Sequence, residues 1–290
     1  MPMKPIRLLT ALVIFTLSAG LFACKKTASQ DITATPDVET QTTIELSADQ
    51  AIADNLTEDA NNAFMEAAAD KNLLGSNFTS RPVETSNILA CASISVTPAT
   101  GFPKTIVIDF GAGSCVSANG VFHKGKINVV LTDSVRKPGS KAVMTFVNYY
   151  VNNFKKEGTI TWTNTSIPST RSWQRKVENG KITAPNGMYW LHNGVRDVVQ
   201  IAGVNTPNTL LDDIYLTTGN HTVTNAAGKT RDCFITEALQ RKISCDNISA
   251  GKLQVQGAGH VAVIDFGNGD CDKIATIVID GQEPKTIPLR

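Results

Sequence analysis

The chain has 290 residues, 42% of them apolar, with 27 basic side chains against 26 acidic ones. So even a balance leaves no electrostatic footprint for nucleic acid or for a strongly acidic surface. Few aromatics, frequent glycine and many β-branched residues favour sheets over helical bundles.

The first residues read as a targeting segment. Lys4 and Arg7 form a basic front, Leu8–Leu17 an apolar middle, and Ser18, Ala19 and Gly20 a small-residue end. The apolar stretch is about half of what a spanning helix needs. Leu21-Phe22-Ala23-Cys24 then resembles the lipobox of bacterial lipoproteins. That resemblance implies acylation of the Cys24 thiol and cleavage of residues 1–23. The other reading is an ordinary secretory peptide with a cysteine near its cut. Acyl chains contribute roughly 0.8 kcal/mol per buried methylene, and two or three anchor a protein durably. Residue 25 is Lys rather than Asp, which by the lipoprotein sorting rule favours the outer membrane and leaves the leaflet open. Loss of Lys4 and Arg7 would leave 25 basic against 26 acidic residues.

Residues 24–46 are rich in Thr, Ser, Gln and Asp and read as a flexible tether behind the anchor. Ser47 with Gln50 forms a capping-box pattern. Ile52, Leu56, Ala60, Phe64 and Ala67 follow at near-helical spacing, predicting a helix over 47–75 that lays its apolar stripe on a sheet. Asp49, Asp54, Glu58 and Asp59 fall on its remaining faces.

Residues 76–290 are predicted to form one β domain: a large antiparallel meander, as a sandwich or a curled sheet, of roughly 12 strands. Candidate strands are Lys126–Thr132, Val143–Asn152, Gly158–Thr165, Gly187–Leu191, Arg196–Gly203, Asp213–Thr218 and His221–Asn225. Candidate turns are Asn119-Gly120, Pro138-Gly139, Asn179-Gly180, Asn186-Gly187, Asn193-Gly194 and Asp280-Gly281, dipeptides suited to positive φ.

One sentence of sequence is written twice. Cys91-Ala92-Ser93-Ile94 leads to Val107-Ile108-Asp109-Phe110-Gly111-Ala112-Gly113-Ser114-Cys115; Cys245-Asp246-Asn247-Ile248 leads to Val263-Ile264-Asp265-Phe266-Gly267-Asn268-Gly269-Asp270-Cys271. Alternation sends Ile and Phe to one face and Val and Asp to the other. The glycines permit a turn that returns the final cysteine to the start of its unit, so Cys91 is expected to pair with Cys115 and Cys245 with Cys271. Such loops stabilise by roughly 3 kcal/mol each. Five cysteines besides Cys24 formally permit other connectivities; Cys233 is left over, expected as a buried free thiol. Asp265, Asn268, Asp270 and Asp272 gather oxygen ligands, but the first unit offers only Asp109 and Ser114. A carboxylate capping the turn's N–H groups accounts for both units.

The repeated unit followed by Gly125-Lys126-Ile127, the Asp212-Asp213-Ile214-Tyr215 … Gly219 … Asn225 … Gly228 run, and the closing Gly267-Asn268-Gly269-Asp270-Cys271-Asp272 resemble uncharacterised membrane lipoproteins of Bacteroidota-type bacteria. The resemblance implies a secreted, membrane-tethered β protein without an assigned activity. Such proteins carry a basic pair before Gly-Lys-Ile, where this chain has Phe122-His123-Lys124.

No constellation names a reaction. His123, His192, His221 and His260 form no zinc motif. Gly228-Lys229-Thr230 ends like a phosphate-binding loop, but Val223 stands where its leading glycine belongs. No catalytic residue, metal or cofactor is expected. Trp162, Trp173, Trp190, Tyr149, Tyr150 and Tyr189 read as sheet packing, with a sugar-stacking platform as the alternative. The expected function is a non-catalytic structural or interaction lipoprotein, held on the membrane through Cys24 and binding an envelope protein or polysaccharide. The alternatives are an apolar-ligand carrier with the helix as lid and a glycan-acting enzyme.

Overall fold

The computed structural model describes residues 37–75, 88–113, 115–117, 120–206, 211–245 and 247–289. Of the two compact units into which the chain divides, 1–35 and 36–290, these belong to the second. Cys24, the expected leader and most of the expected tether lie outside the described residues.

Among the described residues, one helix and one antiparallel sheet make the body. Helix α1 spans Val38–Asp70, 33 residues or about 50 Å at 1.5 Å per residue. It begins nine residues before the expected start at Ser47, so the tether expected to reach residue 46 loses its last part to the helix. Asp37 is the cap: its carboxylate accepts from the amides of Glu39 and Thr40, each at 2.9 Å. The Thr-rich first turns hold because Thr42 and Thr43 turn their hydroxyls onto the carbonyls of Val38 and Glu39. Ser47, expected as the cap, donates instead to Thr43 O at 2.7 Å from inside the helix.

The strands are β1 (Ser93–Thr97), β2 (Lys104–Asp109), β3 (Cys115–Val116), β4 (Phe122–Leu131), β5 (Lys141–Val151), β6 (Phe154–Asn164), β7 (Ser172–Thr183), β8 (Tyr189–Ala202), β9 (Ile214–Asn225), β10 (Thr230–Lys242), β11 (Ala250–Gly257), β12 (His260–Asn268), β13 (Ile274–Ile279) and β14 (Lys285–Pro288). They follow one another as a meander from β1 to β14, with short β3 paired only to β4. The expected β-rich meander is present as a curled sheet. Helix α1 touches β2 and also β8 to β12, strands near opposite ends of the order, so the sheet wraps around it.

The curl has a sequence cause. Asn179-Gly180 and Asn193-Gly194 were expected to turn the chain; instead they sit inside β7 and β8. Likewise Gly187–Leu191 and Arg196–Gly203 merge largely into β8, while Asp213–Thr218 and His221–Asn225 merge into β9. Gly125, Gly158, Gly180, Gly194, Gly219 and Gly251 occupy successive strands from β4 to β11 (without β5 and β10). Register shifts accompany the seam at Lys124/Lys126, Thr145/Tyr149, Glu157/Thr159, Val177/Gly180 and Ala250/Lys252. Bulges and missing side chains let each strand bend. At Gly125, φ is +83° and a Cβ would stand 1.9 Å from Asn148 O, so the neighbouring backbone occupies the place of a side chain.

Inside the curl, Leu46, Ala53, Ala60, Ala63, Phe64 and Ala67 of α1 meet Ile106, Ile108, Ile127, Leu131, Met144 and Ile160 from the sheet in one fully buried cluster. The alanines bring the helix close to the sheet.

Each cysteine unit contains an antiparallel pair, β1–β2 toward one edge and β11–β12 toward the other, which the next full strand, β4 or β13, extends. Cys91–Cys115 and Cys245–Cys271 are bonded, with Cα separations of 5.5 and 5.2 Å, the pairing the repeat implied. Ile108, Phe110, Ile264 and Phe266 face the core. Asp109 accepts from the Gly111 amide at 2.8 Å and Asp265 from that of Gly267 at 2.9 Å. Both carboxylates cap their turns.

Candidate functional site

Between α1 and the inner face of the sheet lies a layer of buried charge. Lys156, Arg175, Arg196 and Arg231 alternate with apolar residues on β6, β7, β8 and β10, and each is nearly inaccessible. Arg175 and Arg196 stand directly opposite each other in register, an arrangement that destabilises a sheet when uncompensated. The helix supplies the counterions. Glu58 pairs with Arg175, Asp54 with Arg196 at 3.0 Å and Glu39 with Arg231 at 2.8 Å. Asp59 meets His123 Nε2 at 2.9 Å and accepts from the Tyr149 hydroxyl. The sequence reading placed Asp54, Glu58 and Asp59 away from the sheet; instead they face it. The signal was on the strands: arginines at inward positions of alternating segments require acidic partners.

Electrostatics follow burial. Lys156 donates to Thr57 Oγ1 at 3.1 Å, and burial pulls its amine down to about 7, against the opposing pull of Asp54 and Asp59. Burial also holds His192 and His221 well below their ordinary value. Arg196 Nε donates to His221 Nδ1 at 2.7 Å, so Nδ1 is the acceptor and the ring proton sits on Nε2. The 3.6 Å approach of His221 Nδ1 to Asp54 is therefore not an ion pair. Cys233 is a free, buried thiol, pushed up to about 12 by burial and hence inert at neutral pH.

A second feature lies at the first cysteine unit. An open groove of about 500 Å³ is lined by Asp109, Gly111, Lys124, Lys126, Asn148 and Tyr150 among others. Lys126 pairs with Asp109 at 2.7 Å, and the Lys124 ammonium lies 4.0 Å from the Tyr150 ring centre. His123 points inward to Asp59, whereas its neighbour Lys124 belongs to the groove. Of the aromatics, Trp162, Trp190 and Tyr149 are buried, as packing predicts. Trp173 stacks edge-on against Tyr215 at 5.2 Å.

The Asp213-Ile214-Tyr215 motif is a strand anchor. Asp213 accepts from Gln200 Nε2 at 2.7 Å and from the Tyr215 hydroxyl at 2.5 Å, tying β9 to β8. A Cβ on Gly203 would fall 1.9 Å from that carboxylate.

Among the described residues no cluster of three or more His, Cys, Asp or Glu is placed to hold a metal ion, and no helix is long and apolar enough to cross a membrane. Compared with protein-family models, curated proteins and solved structures, the chain matches none.

Proposed function

We propose that this chain is a lipid-anchored, non-catalytic binding protein of the bacterial outer membrane, tethered through Cys24 and engaging an envelope protein or polysaccharide with the outer face of its sheet. The observation that carries the reading is the occupancy of the inner face. Helix α1 lies along it, joined by Glu39, Asp54 and Glu58 to buried arginines and by Asp59 to His123 and Tyr149. What remains for a partner is the outer face, where the groove beside the first cysteine unit has the volume of a ligand-binding cleft. Lys124, Lys126, Asp109 and Asn148 offer hydrogen bonds there, and Tyr150 offers a ring. Support for the anchor comes from Leu21-Phe22-Ala23-Cys24 and its basic and apolar lead, and from the resemblance of the cysteine units to membrane lipoproteins.

Two measurements test it. Metabolic labelling with a fatty acid should mark the parent and not Cys24→Ala, and fractionation should move the variant out of the membrane. Purified envelope polysaccharide and envelope protein extract, offered separately to immobilised protein, should show retention by one of them that Lys124→Ala/Tyr150→Ala weakens at least tenfold. Equal retention by parent and double variant would sink the groove as the binding face. The apolar-carrier reading requires α1 to leave the sheet; lipid co-purifying with the parent protein would favour it.

A further inference from the structure

The charged layer contains a cavity of about 40 Å³ between α1 and β7–β10, bordered by Asp54, Glu58, Arg175, Arg196, His221 and Arg241. Its donors outnumber its acceptors. Arg196 spends Nε on His221 and Nη2 on Asp54, and its Nη1 finds no acceptor within the protein. Arg175 Nε, Arg241 Nε and His221 Nε2 are in the same condition. The first two arginines and His221 are more than nine-tenths buried as residues, and every one of these nitrogens is itself buried. A buried N–H without an acceptor costs about 1–3 kcal/mol, more when charged. Charge is unbalanced in the same direction. Three guanidinium groups face two carboxylates, His221 is a neutral donor by its bond from Arg196, and one positive charge is left over.

We propose that this cavity binds one small monovalent anion, of the charge and size of chloride, held by Arg175, Arg196, Arg241 and His221. The volume selects the class. A water-sized occupant needs roughly 10–15 Å³ by the same measure, so the cavity has room for a halide with a water beside it. A divalent oxyanion would exceed the single excess charge and meet Asp54 and Glu58 across the cavity. The four groups that hold the anion come from β7, β8, β9 and β10, so it offsets the surplus positive charge that the strands present beneath α1.

The test uses the full chain, freed of halide by dialysis into sodium gluconate. Replacing gluconate by chloride, bromide or nitrate at constant ionic strength should raise Tm saturably, by about 2–4 °C for a binding event that adds roughly one kcal/mol to a domain of this size. Sulfate should not reproduce the rise. Arg241→Gln, which removes a half-buried donor, should abolish it, while the exposed control Lys176→Gln should keep it. Crystals soaked in bromide should show an anomalous peak among the four nitrogens. Equal Tm in gluconate and chloride, with no bromide peak, would overturn the proposal. A bromide peak without any rise in Tm would mark an adventitious ion only and overturn it as well.

Discussion

At the scale of single residues, buried charge dominates. Asp54 neutralises a guanidinium that is 5% exposed. Removing one partner of such a pair leaves the other charged and dry, at a cost of about 3–5 kcal/mol. Asp54→Asn should therefore lower unfolding free energy by roughly that amount in urea titrations, whereas Asp54→Leu/Arg196→Met should recover most of it. A single variant within about 0.5 kcal/mol of the parent would show that Arg196 is solvated after all. Lys156 carries a pH dependence of defined sign. Its folded value of about 7 lies below the ordinary 10.5, so between these values the unfolded chain binds the extra proton and stability rises with pH. Lys156→Met should be more stable than the parent at pH 6, and the advantage should fade as pH approaches 10. A variant weaker than the parent at both ends of that range would refute the assignment.

At the scale of elements, an alanine stripe by itself permits a helix to slide, whereas ion pairs at 39, 54 and 58 and the hydrogen bonds of Asp59 hold one register. The first turn adds a latch. His260 Nδ1 meets Asp280 at 2.8 Å and Nε2 approaches Asp37 at 3.5 Å. Its hydrogen bond to Asp280, helped by Asp37, holds the imidazole above 6.5. The folded value is the raised one, so the latch is complete below the ordinary 6.5 and lost as pH rises through the higher, folded value. Amides of the first helical turn, after correction for intrinsic exchange, should be better protected at pH 5.5 than at pH 8.5, and His260→Gln should erase the difference. The glycine seam makes a steric prediction. At Gly139, φ is +82° with nothing near a Cβ, whereas Gly125 has Asn148 O at 1.9 Å. Gly139→Ala should cost about 1–2 kcal/mol for backbone conformation. Gly125→Ala should cost roughly 3–5 kcal/mol, because the adjoining strand must move. Similar costs for the two would show that the seam is not sterically determined.

For the whole molecule, the two disulfides brace the outer thirds of an open sheet whose middle strands are held by α1. The bonded cysteines are 24 and 26 residues apart, so the chain-entropy argument assigns each about 3 kcal/mol. Cys91→Ser/Cys115→Ser and Cys245→Ser/Cys271→Ser should lower stability by similar amounts, read by denaturant unfolding without reductant. A loss below about 1 kcal/mol in either pair would place the stabilisation elsewhere. The inward Arg175 and Arg196 and the seam glycines are features of this same assembly: the first need the helix, the second let the sheet reach around it.

Local pattern determined much of this protein. Alternation in Val-Ile-Asp-Phe settled which side chains enter the core, and the duplicated unit settled the cysteine pairing, because both depend on residues close in sequence. Asn186-Gly187 and Asp280-Gly281 turn the chain as their dipeptides predict. Asn179-Gly180 and Asn193-Gly194 have the same chemistry and a different outcome, since a positive φ serves a bulge as well as a turn, and only neighbouring strands decide between them. The helix start was illegible for a similar reason: Thr42 and Thr43 have weak helical preference, which their burial and their bonds to carbonyls of the preceding turn overcome. The partners of Asp54, Glu58 and Asp59 lie from 64 to more than 140 residues away in the chain. Their acids could be read from the sequence, but the direction they face was set by buried cations that only the curled sheet brings to the helix.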